Sequence, residues 1–116
     1  MFADPQSLTI NAVANSVPRI SADDQSATYS SADGNLVFTI SHQLSKKRMR
    51  HLVRIDQRII AADPLTAVNT QQKAAVYMVI DEPEVGFTDA QLTYLVDALK
   101  AWATNANVAK VLGLES

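Results

Sequence analysis

The chain has 116 residues, 47% of them hydrophobic, no cysteine, and ten basic against twelve acidic residues for a formal charge of -2. That length and apolar share suit one domain with a single core, and the missing cysteines exclude a disulfide framework or a thiolate metal site. No run of about 18 apolar residues exists, and residues 1–4 lack the basic start and apolar stretch of a secretion signal, so the chain reads as soluble, not exported and without a membrane partner.

Residues 7–13 alternate, with Leu8, Ile10 and Ala12 on one side and Ser7, Thr9 and Asn11 on the other, as a half-buried strand requires. Asn15-Ser16 is a plausible reversal, and residues 17–22 return as a second strand with Pro18 at an edge, because proline cannot donate to a ladder. Residues 26–31 read as another short strand closed by Asp33-Gly34, a dipeptide suited to a tight turn. From Leu36 the even positions Leu36, Phe38, Ile40, His42 and Leu44 oppose Val37, Thr39, Ser41, Gln43 and Ser45. Lys46-Lys47-Arg48 turns the chain. Residues 49–60 then place Met49, His51, Val53, Ile55 and Ile59 on one side and Arg50, Arg54, Asp56 and Arg58 on the other. A polar loop runs from Asp63-Pro64 to about Gln72, and residues 73–81, rich in Val, Ile, Tyr and Met, fit a strand.

Glu82-Pro83-Glu84 and Gly86 break the pattern, and Thr88-Asp89-Ala90-Gln91 has the form of a capping box that opens a helix. Leu92, Leu95, Val96, Leu99, Trp102 and Ala103 recur at helical spacing as one apolar stripe. Asn105 or Asn107 can cap a second short helix with Val108, Val111 and Leu112 on one side and Gly113 as its stop. The class is α+β, with five or more antiparallel strands followed by two helices. The expected organisation is a single domain over 1–116: an N-terminal hairpin (1–24), an antiparallel sheet (25–81) and two C-terminal helices (88–113).

Three strings carry a family resemblance: RIDQRIIAADPLT at 54–66, GFTD at 86–89 and AWATNANVAKVLG at 101–113. In wording and in element order the chain resembles levivirus-type single-stranded RNA bacteriophage coat proteins over nearly its whole length. The resemblance implies an N-terminal β-hairpin, a five-stranded antiparallel sheet and two C-terminal helices that reach across a partner, giving an interlocked dimer with a continuous ten-stranded sheet. It implies an obligate homodimer that builds a quasi-equivalent (T=3) icosahedral shell, with genomic RNA on the inner sheet face. It also implies a place in the virion after assembly in the bacterial host cytoplasm. The loop of residues 62–72 corresponds to the family loop that clusters at the symmetry axes of the shell. The dimer interface falls on Leu92, Leu95, Val96, Leu99, Trp102, Val108, Val111 and Leu112.

Lys46, Lys47, Arg48, Arg50, Arg54 and Arg58 place six of the ten basic residues within residues 46–58. Arg50, Arg54 and Arg58 form a row on one strand face, spaced for phosphates, with Asp56 in the same row to pair with Arg54 or Arg58. The alternative is a solvated face made soluble by charge. Lys73 and Tyr77 share a face of the last strand. By position Tyr77 resembles the family tyrosine on which a base of an RNA hairpin stacks, against the commoner role of an aromatic in a cross-strand pair. Thr39, Ser41 and Gln43 resemble the family's adenine pockets, or simply continue the alternation. A clear copy of the best-known operator-contact set is missing, which bears on translational repression through a hairpin.

His42 and His51, without a third ligand, read as core or interface residues, so no metal is expected. Asp81, Glu82 and Glu84 flank Pro83, where a strand-to-helix turn accounts for them better than paired-carboxylate catalysis. Three scattered glycines offer no phosphate loop, and no nucleophile constellation exists, so no catalytic residue, cofactor or small-molecule substrate is expected. The rival to a shell protein is a soluble dimeric RNA-binding regulator that forms no shells.

Overall fold

The computed structural model describes residues 2–62 and 64–116, and it divides into a unit ending at Glu82 and a second spanning Pro83–Ser116. In the first unit β1 (Gln6–Ile10) pairs antiparallel with β2 (Val13–Val17), Ile10 lying opposite Val13. The two-residue turn between them is Asn11-Ala12, with φ of 50° and 63°. Positive φ at both central positions is what a hairpin of this length needs to match the right-handed strand twist.

The reversal expected at Asn15-Ser16 therefore falls inside β2. There the Asn15 amide donates to the Leu8 carbonyl across the hairpin at 3.2 Å and to the Val13 carbonyl at 3.0 Å. Residues 17–22 are not one returning strand either. Pro18 ends β2, and β3 (Arg19–Ala22) joins the other sheet as an edge strand.

That sheet is β3-β4-β5-β6-β7, all neighbours in chain order, with β4 at Ser26–Ser30, β5 at Leu36–Ser45, β6 at Arg48–Ala62 and β7 at Asn69–Pro83. Gly34 holds φ +73° in the β4–β5 turn, a left-handed conformation that favours glycine. In the register between β5 and β6, Ser45 faces Arg48, His42 faces His51, Ile40 faces Val53 and Phe38 faces Ile55. The even residues of β5 and the odd residues of β6 thus share one face, as the alternation predicts.

The hairpin covers part of that face. Val17, Tyr29, Leu36 and Ile40 are buried, and Leu8, Ile10, Ala27, Phe38 and Ile55 pack against them. Complete burial of a side chain such as Val17 contributes about 1.5–3 kcal/mol. The Tyr29 ring lies 5.9 Å from that of Phe38, and the Arg19 guanidinium sits 5.3 Å from the Tyr29 ring centre.

Strand β7 begins at Asn69, earlier than its apolar run suggests, because ladder hydrogen bonds do not require apolar side chains. The loop expected over 63–72 is correspondingly shorter, and Asp63 lies outside the described residues.

In the second unit α1 (Asp89–Trp102) opens on the expected box: Thr88 Oγ1 accepts from the Gln91 amide at 3.2 Å, and Gln91 Oε1 accepts from the Thr88 amide at 3.0 Å. The cap of α2 (Asn105–Leu112) is Thr104, not Asn105 or Asn107. Asn107 donates its own backbone N–H to Thr104 Oγ1 at 3.3 Å, and its side-chain amide donates to the Trp102 carbonyl at 2.6 Å, closing the end of α1. Gly113 caps α2. Neither helix has a buried residue; Leu95, Leu99, Trp102, Val108, Val111 and Leu112 are 40–79% exposed, while Leu92 and Val96 are half-buried. Among the described residues, no helix is long and apolar enough to cross a membrane.

Candidate nucleic-acid interface

The face opposite the hairpin carries the polar residues. Register places Thr39 opposite Arg54, Gln43 opposite Arg50, Ser41 opposite Leu52 and Ser45 opposite Arg48. Strand β7 adds to it: Lys73 Nζ lies 4.0 Å from Asp56 Oδ1, and the Arg54 guanidinium sits 5.7 Å from the Tyr77 ring centre. The structure thus gathers Thr39, Ser41, Gln43, Arg50, Arg54, Lys73 and Tyr77 on one side of the sheet.

The three arginines of the row are not equivalent. Arg54 Nε donates to both Asp56 oxygens at 2.9 and 3.1 Å, and Asp56 is only 8% exposed. The buried carboxylate neutralises Arg54 and fixes its guanidinium over Tyr77. Arg58 turns to the β4–β5 turn instead, donating from a terminal nitrogen to the Gly34 carbonyl at 2.5 Å. The Arg50 side chain is exposed and makes no hydrogen bond or ion pair among the described residues.

Arg50 belongs to a basic corner at the β5–β6 turn, an open concavity of about 620 Å³ lined by Gln43, Ser45, Lys46, Lys47, Arg48, Arg50 and Asp81. Four cations face one carboxylate there, and Arg48 Nε holds Asp81 Oδ1 at 3.1 Å. Asp81 and Glu82 thus end β7 in contacts with β6, Glu82 reaching His51 Nε2 at 2.9 Å, rather than forming part of a strand-to-helix turn. In the sequence the lysines of this corner stand only as a turn and as part of the basic cluster at 46–58. Their weight comes from the commitments of Arg54 and Arg58, visible only in three dimensions.

The model of the phage phiCb5 coat protein family matches residues 3–83. The chain belongs to that family. Solved structures extend the likeness of this coat protein through the helices. A virus-like particle of bacteriophage AVE019 superposes with a TM-score of 0.82 at 13% identity, covering 96% of this chain and 94% of that one. The virus-like particle of Beihai levi-like virus 21 gives 0.75 at 9% identity, covering 97% and 94%. The capsid protein of bacteriophage GA gives 0.61 at 13% identity, covering 93% and 94%. No curated protein matches significantly. The fold is the RNA phage coat protein fold, and the role is that of a structural component of a phage capsid.

Proposed function

We propose that this coat protein forms an obligate homodimer, assembles into an icosahedral shell in the bacterial host cytoplasm and holds genomic RNA on the polar face of its sheet. The observation that carries the dimer is the absence of any buried residue in α1 and α2, whose apolar stripes stand exposed in the single chain. Stripes of that kind need a partner. Strand β7 offers a second surface: at 15 residues it is a long edge strand whose outer hydrogen-bonding groups suit pairing with another copy, giving a ten-stranded sheet. An interface of this sort buries about 2,000 Å² or more, so folding and association are one process.

On the RNA side the phosphate contacts fall at the basic corner, where Arg50 is free, with the neutralised Arg54–Asp56 pair and Tyr77 beside it. Binding there releases counterions and weakens as salt rises, with a log–log slope of about -0.7 per phosphate neutralised on single strands. Comparing Arg50→Ala/Lys47→Ala with Arg54→Ala tests this. The first variant should flatten the slope by about one unit or more, and Arg54→Ala should change it little. An unchanged slope in the first variant removes the corner from the interface.

A further inference from the structure

His42 on β5 and His51 on β6 are direct cross-strand partners on the face opposite the basic corner. The His42 amide donates to the Gln25 carbonyl at 2.7 Å, away from β6, which makes the two histidines a non-hydrogen-bonded pair with their side chains at closest approach. Their rings meet nearly edge to face, with centres 4.9 Å apart, and the two Nδ1 atoms are 2.7 Å from each other. On the far side of the His51 ring, Nε2 lies 2.9 Å from Glu82 Oε1.

These contacts constrain the tautomers of the two rings in their neutral form. A carboxylate accepts, so His51 donates from Nε2 to Glu82, and in the neutral imidazole its Nδ1 then carries a bare lone pair. His42 then donates from Nδ1 into that lone pair. Two imidazole nitrogens converge on a single proton, and one ring is already oriented by an outer carboxylate, the arrangement that fixes the tautomer of a metal-ligating histidine.

We propose that His42 and His51 form a bidentate site for a divalent transition-metal ion that favours imidazole, Zn²⁺ or Cu²⁺, with Glu82 as the outer-shell carboxylate. The proton of His42 moves from Nδ1 to Nε2, freeing both Nδ1 lone pairs for the metal. Metal–nitrogen bonds of about 2.0–2.1 Å at a tetrahedral angle require the two atoms to separate by about 0.6–0.7 Å. His42 is exposed and the His51 side chain is 30% exposed, so small ring rotations suffice. Asp23 and Asp24 line the concavity beside His42 and favour the approach of a cation. No group of three or more histidine, cysteine or carboxylate side chains among the described residues is arranged around a metal position, so water completes the coordination. The ion would join β5 to β6 on the side away from RNA.

The test is titration of the chelator-stripped full-length protein with Zn²⁺ by calorimetry, beside electron paramagnetic resonance of the same protein with Cu²⁺. One Zn²⁺ per chain is expected, with at least tenfold weaker binding in His42→Ala and in His51→Ala. Glu82→Gln should keep the stoichiometry and weaken binding by about 10- to 100-fold. The copper spectrum of the unaltered protein, which depends on no variant folding correctly, should show coupling to two imidazole nitrogens. An oxygen-only spectrum, or Zn²⁺ binding that survives loss of both histidines, overturns the site.

Discussion

Asp56 grips Arg54 from two residues along the same strand, both of its oxygens accepting from one guanidinium nitrogen at 2.9 and 3.1 Å. The contact is half-open, since the Arg54 side chain is 39% exposed while that of Asp56 is 11% exposed. Removing the carboxylate by Asp56→Ala leaves Arg54 and Lys73 without their shared partner. A loss of about 1–3 kcal/mol is expected in urea unfolding of the assembled form, discounted for the exposure of both cations. Arg54 also becomes available to phosphate, so RNA affinity should rise and its salt slope steepen by about 0.7. A variant that binds RNA no more tightly shows that Arg54 was never restrained from phosphate.

Gly34 and Arg58 are coupled in the same way at the other end of the face. A Cβ at position 34 would meet an Arg58 terminal nitrogen at 3.0 Å, and the φ of +73° strains any L side chain. Gly34→Ala should destabilise the protein by about 1–2 kcal/mol, seen as a lower urea midpoint. A midpoint at or above that of the parent would show that the turn relaxes freely.

The pattern of strands and faces was readable from alternation alone, because period two follows from the pleat whatever the neighbours do. The hairpin turn was not. Asn11-Ala12 lacks glycine, and Asn15-Ser16 satisfies the same compositional rule, so only pairing decides between them. The His42–His51 contact failed for a related reason. It depends on the length of the β5–β6 turn, and a two-residue turn at Lys46-Lys47 puts 45 opposite 48 and therefore 42 opposite 51. A three-residue turn at 46–48 leaves that partnership unseen. The commitments of Arg54 and Arg58 lie beyond any one-dimensional pattern, since like residues at like spacing found different partners.

Acid should loosen the two turns that flank β4. The Asp23 carboxyl is held below its ordinary value of 3.8 by the Gln25 backbone N–H, then by the N–H and hydroxyl of Ser26. The Ser31 hydroxyl, followed by the Asn35 backbone N–H, does the same for Asp33. A depressed folded-state pKa adds stability that is present above the unfolded value and lost as pH falls through the folded one. Urea midpoints should therefore fall as pH drops below about 4, and Asp23→Asn/Asp33→Asn should flatten that fall. An identical profile in the variant would assign the acid sensitivity elsewhere.

Leu99 and Trp102 are each 55% exposed in the single chain. If they were ordinary surface, Leu99→Asp would change stability by no more than about 0.5 kcal/mol. The dimer account expects the opposite: loss of the dimer in analytical ultracentrifugation together with loss of cooperative folding. A stable Leu99→Asp dimer would place the interface on other residues.

The most direct measurement is electron microscopy of the chain expressed alone in bacteria, with the 260/280 nm absorbance ratio of the same preparation. The account predicts uniform round shells that carry RNA. A small dimer at high concentration, unchanged by added RNA, would contradict it and favour the soluble regulator.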